Sequence, residues 1–148
     1  TLYLVGPGST THLFLQELGL DGSLLGVDLL LNNELIATDL SAPQITAQLD
    51  QFTGPVKMII TAIGGQGHIL GRGNQQFTPD ILRRIGKENI HIIAARGKIL
   101  ALNGRPLLVD TNDPELDLAF GGYRPVITGY SETIMYPVGY GVGEVSCR

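Results

Sequence analysis

Two apolar runs, each breaking off into a glycine cluster, constrain this chain more than any other feature. Leu2–Val5 runs directly into Gly6-Pro7-Gly8-Ser9-Thr10-Thr11, and Val56–Ile63 runs into a block with five glycines between Gly64 and Gly73. A short continuous apolar run closed by glycine reads as a buried parallel strand, because both of its faces are covered by helices. The first cluster is followed by His12-Leu13-Phe14-Leu15-Gln16-Glu17-Leu18. Ser9 or Thr10 is expected to cap a helix over residues 11–18, with Leu13, Leu15 and Leu18 as its apolar positions and Gly19 as its stop.

The same signals repeat along the chain. Leu25–Leu31 and Glu34–Asp39 flank Asn32-Asn33, residues that tolerate a left-handed turn, and so predict a β-hairpin. Ser41 is placed to cap a second helix carrying Ile45 and Leu49 on one face, with Gly54-Pro55 beyond its end. Thr78-Pro79-Asp80 opens a helix over residues 79–85, since proline belongs at the first helical position and aspartate suits the positive end of the dipole. Ile90–Ala95 reads as a strand, Lys98–Leu102 as a helical turn and Pro106–Asp110 as extended. Asn112-Asp113-Pro114 caps a helix to about residue 120, and Val126–Thr128 with Thr133–Val138 forms a closing hairpin. The tail Gly139–Arg148 is expected to be weakly specified. The alternation predicts one α/β layered domain with a mixed, mainly parallel sheet, flanking helices and added β-hairpins.

Charge and composition narrow the partners. The net charge of −4 argues against a general nucleic-acid binder. Residues 72–105 nevertheless carry seven arginines and lysines against Asp80 and Glu88, a local +5 inside a remainder of −9. That span is either a solvated basic face or a local anion site. No apolar run is long enough to span a bilayer, and residues 1–15 lack a basic n-region with a cleavage site, so a cytoplasmic protein is expected. Cys147 is the only cysteine, which excludes a disulfide framework and a cysteine metal site. The 43% hydrophobic fraction is high for a solvated monomer, and with the abrupt start at Thr1 it suggests a homo-oligomer or a piece of a two-domain protein.

The glycine clusters carry the candidate chemistry. A strand, a glycine loop and a helix N-terminus together aim backbone amides and the dipole at one point, which suits phosphate or carboxylate. Gly6 and Gly8 would permit close approach, and Ser9, Thr10 and Thr11 would add hydroxyls. An ordinary β–α turn reads the same way. The lysine of a P-loop is absent, and so is a full GxGxxG. The second block, Gly64-Gly65-Gln66-Gly67-His68-Ile69-Leu70-Gly71-Arg72-Gly73-Asn74-Gln75, is costly to order if it only connects elements. Both clusters leave the carboxyl ends of strands, where ligands of open α/β sheets bind, so they are expected to face one crevice. Arg72 could fork onto a phosphate there. His68 is either a general acid or base or a hydrogen-bonded structural residue. Asp110–Pro114 reads as a helix cap rather than a metal site, and His12 and His91 receive no chemistry. Tyr123, Tyr130, Tyr136 and Tyr140 read as core or interface aromatics, with stacking on a nucleotide ring as the alternative.

In order along the chain, GPGSTT, Leu25-Gly26-Val27-Asp28, IGGQGHILGRGNQQFTPDILRRIG, RPLLVDTNDPELD and YRPVITGYSETIMYPV resemble the C-terminal part of the ATP-NAD kinase-like family, including its AcoX-type members. The resemblance implies a phosphotransferase that passes a phosphoryl group from ATP, or another donor, to NAD or a related acceptor with Mg²⁺. It also implies an N-terminal domain whose Gly-Gly-Asp-Gly block supplies the catalytic aspartate. That block is absent here, and Gln66 cannot replace it, since an amide is neither a general base nor a charged metal ligand. GPGSTT is similar to the Thr-Gly-Ser-Thr segment that contacts the dinucleotide in the family, which implies that role for Ser9 and Thr10. The same blocks also look like the phosphate loops of sugar-phosphate isomerase and phosphogluconolactonase folds, whose chemistry would run through His68. A non-catalytic sensor of phosphorylated ligands is the third reading.

Overall fold

The computed structural model describes residues 1–129 and 131–140. Tyr130, Cys147 and the rest of the tail from residue 141 lie outside the described residues. In chain order the elements are β1 (Leu2–Val5), α1 (Ser9–Glu17), β2 (Val27–Leu31), β3 (Glu34–Leu40), α2 (Ala42–Gln51), β4 (Val56–Thr61), β5 (His68–Leu70) and α3 (Pro79–Ile85). A 3₁₀ turn at Lys87–Asn89 then leads into β6 (Ile90–Ile93), α4 (Arg96–Ala101), β7 (Leu107–Val109), α5 (Pro114–Phe120), β8 (Gly122–Gly129) and β9 (Glu132–Tyr140).

Among the described residues nine strands form one sheet in the order β3-β2-β1-β4-β6-β8-β9-β7-β5. β1, β4, β6 and β8 run parallel, so their carboxyl ends share one edge. The β8–β9 hairpin reverses direction, and β7 and β5 follow β9 in parallel. The fold is thus the expected α/β layered domain with a mixed, mainly parallel sheet. The far end of the strand row returns on itself, because His68 of β5 bridges Ile63 just past β4.

Local chemistry explains most boundaries. Asn32 and Asn33 take φ of 54° and 65°, the pair of positive values that a tight hairpin requires. Ser41 accepts from the Gln44 amide while the Gln44 side chain accepts from the Ser41 amide, a complete capping box. Thr78 and Asp113 cap α3 and α5, each followed by proline. Gly139, taken from the sequence as the start of a loose tail, pairs with Leu108 within β9.

The helices divide unequally between the two faces of the sheet. Ile45, Leu49, Ile81, Leu82, Ile85, Ile99, Leu116 and Phe120 join Leu4, Met58, Ile60 and Ile92 in one core cluster. On the other face, Leu15 of α1 packs with Val5 and Leu30 in a small second cluster. This overturns the expected apolar face of α1. Leu15 is buried, but Leu13 and Leu18 are 59% and 43% exposed, because α1 covers only one margin of its face and turns those side chains toward uncovered sheet. Among the described residues no helix is long and apolar enough to cross a membrane.

Candidate functional site

The first glycine loop is built by close approach. The Gly6 amide donates to the Ile59 carbonyl at 2.8 Å, extending the β1–β4 ladder by one bond. A Cβ on Gly6 would sit 3.0 Å from the Phe77 ring, and one on Gly8 would sit 2.5 Å from the Thr61 methyl. Gly8 takes φ +136°, and its amide donates to the Leu24 carbonyl at 3.1 Å. Leu24 belongs to a turn held by Asp28, whose carboxylate is 1% exposed. That carboxylate accepts from the Ser23 amide (2.8 Å), the Ser23 hydroxyl (2.6 Å) and the Asp39 amide (3.0 Å). Asp28 therefore supports the turn on which Gly8 rests.

The cap of α1 differs from the expectation. Ser9 and Thr10 lie inside its first turn, Gly8 holds the N-cap position, and no side chain caps the helix. The amides of Ser9, Thr10 and Thr11 consequently have no intrahelical acceptor. Ser9 is exposed and Thr10 half-buried, whereas Thr11 faces inward. The Thr11 hydroxyl lies 2.7 Å from the Gly6 carbonyl and 3.0 Å from that of Gly8, bracing the loop from beneath.

The second block is three structures rather than one loop. Gly64-Gly65-Gln66-Gly67 forms a turn, exposed as far as Gln66 and buried at Gly67, closed by paired bonds between Ile63 and His68 at 2.7 and 3.2 Å. β5 follows, and then Gly71–Gln76 turns back toward α3. In that turn the 1%-exposed Asn74 side chain donates to the Ile69 carbonyl and accepts from the Gly71 amide, tying the chain at both atoms. Gly71, at φ +95°, lies so close to the Asp110 carbonyl that a Cβ would fall 1.6 Å from its oxygen. Arg72, Gly73 and Gln75 are exposed.

The two blocks meet at Ile63. A Cβ on Gly8 would lie 3.8 Å from Ile63 Cγ1, and one on Gly73 would lie 2.9 Å from Ile63 Cγ2. The α1 N-terminus, Ile63 and the Gly71–Gly73 turn thus share one locus at the carboxyl end of β4. Gly64 and Gly65 stand in open space beyond it, while Gly67 packs on Leu102. The basic span resolves as well. Arg83 pairs with Asp113 and Glu115, Arg84 with Asp50 and Arg96 with Glu132. Lys87 donates to the Ala119 carbonyl and Arg105 to that of Leu102. Arg72, beside this locus, has no ion pair among the described residues.

His68 lies in β5 and is 7% exposed. Burial, with the Arg72 charge adding to it and Asp110 opposing it, holds its imidazole below the ordinary histidine range and hence neutral near pH 7. Asp113 caps α5 and Asp117 accepts from the Thr111 amide and hydroxyl, as a capping turn requires. Arg83 foremost, then the Leu116 amide, holds the Asp113 carboxyl below its ordinary range. Among the described residues no group of three or more His, Cys, Asp or Glu side chains comes together. Tyr136 donates to the Arg105 carbonyl, and Tyr123 is exposed.

Sequence reasoning missed an open cleft of about 1000 Å³ on the α1 face of the sheet. Of the candidate residues only Thr10 lines it; His91, which had been assigned no chemistry, lines it too. Alternation on β6 was the available signal, since Ile90 and Ile92 enter the core and His91 must face the other way.

A family model described as the ATP-NAD kinase C-terminal domain matches residues 1–138. No curated protein and no solved structure matches the chain. With nearly its whole length covered by that match, the chain belongs to the ATP-NAD kinase C-terminal domain family.

Proposed function

We propose that this chain is the substrate-side domain of an ATP-NAD kinase-like phosphotransferase, and that it holds the phosphates of NAD or a related nucleotide where its glycine blocks meet. The observation carrying this reading is the uncapped N-terminus of α1 beside Ile63 and the Gly71–Gly73 turn. Three unpaired amides, a positive dipole end and the unpaired Arg72 guanidinium all favour an anion there. Gly6, Gly8 and Gly73 let the chain pack closely around the point, while Thr11 and Asn74 keep it rigid. Gly64, Gly65, Gln66 and Gln75 form its outer rim, and Gly67 packs on Leu102 beneath it. Phosphoryl transfer draws mainly on positioning and charge neutralisation. The catalytic carboxylate, with the rest of the Mg²⁺ and ATP shell, is assigned to a separate N-terminal domain, so the isolated chain binds without turnover.

Calorimetric titration of the chain with NAD, ATP and inorganic phosphate, with and without Mg²⁺, tests this directly. Ser9→Glu is the discriminating variant. A carboxylate in the first turn of α1 favours the helix by about 0.3–1 kcal/mol but repels an incoming phosphate. The reading predicts intact or raised stability together with lost binding. Phosphate or nucleotide affinity unchanged in both Ser9→Glu and Arg72→Ala would refute it. Turnover of a sugar phosphate by the chain, abolished in His68→Gln, would support the isomerase or hydrolase reading instead.

A further inference from the structure

The cleft on the α1 face has a composition unlike that of the phosphate locus. Its floor is Ile59, Ile93 and Ile127, from three adjacent parallel strands, and Leu13 and Phe14 of α1 form a wall. Lys57 and His91 stand at one end, on neighbouring strands and on the same face. The Lys57 ammonium has no hydrogen bond or ion pair among the described residues, and His91 Nε2 is buried without a partner. A cleft lined mainly by hydrocarbon that holds an ammonium and an unpartnered buried imidazole nitrogen at one end fits a ligand with an apolar body and one acidic or accepting group.

We infer that this cleft is a separate binding site for an aryl or medium-chain carboxylic acid, its body on Ile59, Ile93 and Ile127 and its carboxylate between Lys57 and His91. A carboxylate fits better than a phosphate for three reasons. This end holds one ammonium, no arginine fork and no helix N-terminus; exposed Glu17 lies on the lining and would repel a dianion; and hydrocarbon lines most of the remainder. From Lys57 to the level of Thr61 is four residues, a run of about 13 Å, which sets the length of the body. The site does not depend on the phosphate reading, since it shares only Thr10 with that locus.

His91 supplies an internal reporter. Burial first, then the charges of Lys57 and Arg124, hold its imidazole below the ordinary range. The other polar residues lining the cleft are Tyr3, Thr10, Glu17, Asn33, Thr128 and Ser131, of which Glu17 alone is charged. A carboxylate placed beside Lys57 offsets the repulsion and raises the His91 pKa. The chain has only three histidines, so the ring can be followed by NMR.

The test is an NMR titration with hexanoate and 4-phenylbutyrate, with hexanamide as the uncharged control. The expected result is perturbation of the Ile59, Ile93 and Ile127 methyl signals, a rise in the His91 pKa, and about tenfold weaker binding of hexanamide. Lys57→Met should make hexanoate and hexanamide bind alike. Ile127→Glu, at a partly exposed position on the floor, should weaken both acids by about tenfold without disturbing the fold. Failure of both acids to perturb these methyls would overturn the inference. So would an acid preference that survives Lys57→Met, signals moving only at Gly8–Thr11, or sedimentation showing that a second copy of the chain occupies this face.

Discussion

Alanine at Gly71 would place a methyl carbon 1.6 Å from the Asp110 carbonyl oxygen, at a residue whose φ is +95°. Carbon and carbonyl oxygen normally approach no closer than about 3.3 Å, so one segment must retreat by roughly 1.7 Å. That retreat breaks the bond from the Asp110 amide to the Leu70 carbonyl and the bond from the Gly71 amide to the Asn74 side chain, both 3.0 Å long. Each contributes about 1 kcal/mol net, and the left-handed backbone adds about 1–2 kcal/mol for a residue bearing a Cβ. Gly71→Ala is therefore expected to cost about 3–4 kcal/mol, a large share of a typical domain's stability. Two controls lie in the same block. Gly64 has φ +76° but open space, so Gly64→Ala should cost only the backbone strain, about 1 kcal/mol. Gly65 has neither constraint, and Gly65→Ala should fall within about 0.5 kcal/mol of wild type. Urea unfolding of the three variants measures the series. Equal stability of Gly71→Ala and Gly65→Ala would refute the close approach of β5 and β7 at this turn.

Three further expectations concern separate parts of the molecule. Asp28→Ala leaves the Ser23 and Asp39 amides without their acceptor, and should destabilise by about 3 kcal/mol and weaken phosphate binding through Gly8. Asp28→Asn, which keeps one oxygen, should cost about half as much, as denaturation and calorimetry together would register. His68 is depressed in the folded state, so between the folded and unfolded pKa values the unfolded chain binds more protons and stability rises with pH. Stability should accordingly fall as pH drops below about 6.5 and level off beneath the folded value, and His68→Gln should flatten that limb of a stability-against-pH curve. Asp113 has the opposite sign of charge but also a depressed pKa. Its stabilisation holds above the unfolded carboxylate range and is lost as pH falls through the folded value, and Asp113→Asn, which keeps a capping oxygen but loses the charge facing Arg83, should shallow the acid limb while leaving α5 capped.

The elements legible in the sequence were those fixed by neighbours in the chain. Thr78-Pro79-Asp80 set the start of α3, and Asn32-Asn33 set the β2–β3 turn, because cap and turn chemistry act over three or four residues. What escaped depended on distant partners. β5 has three residues and no usable period, and it becomes a strand only by pairing with Leu108 and Val109 some forty positions later. The exposure of Leu13 and Leu18 follows from where α1 lands on the sheet, which helical periodicity cannot report. The basic run from Arg72 to Arg105 read as one feature, yet carboxylates at Asp50, Asp113, Glu115 and Glu132 and the carbonyls of Leu102 and Ala119 engage five of its seven cations. The two glycine clusters were expected in one crevice and do converge on Ile63. The Gly71–Gly73 end packs on the Ile63 side chain, whereas Gly64 and Gly65 at the other end project into open space, because β5 carries the chain away and back.

Mapping backbone amide shifts on titration with NAD tests the central proposal most directly. The account predicts perturbations concentrated at Gly8, Ser9, Thr10 and Thr11 and at Gly71, Arg72 and Gly73, lost in Ser9→Glu with the rest of the spectrum unchanged. Saturating NAD that leaves those amides unmoved, or that moves them equally in Ser9→Glu, would contradict a nucleotide site at the meeting point of the glycine blocks.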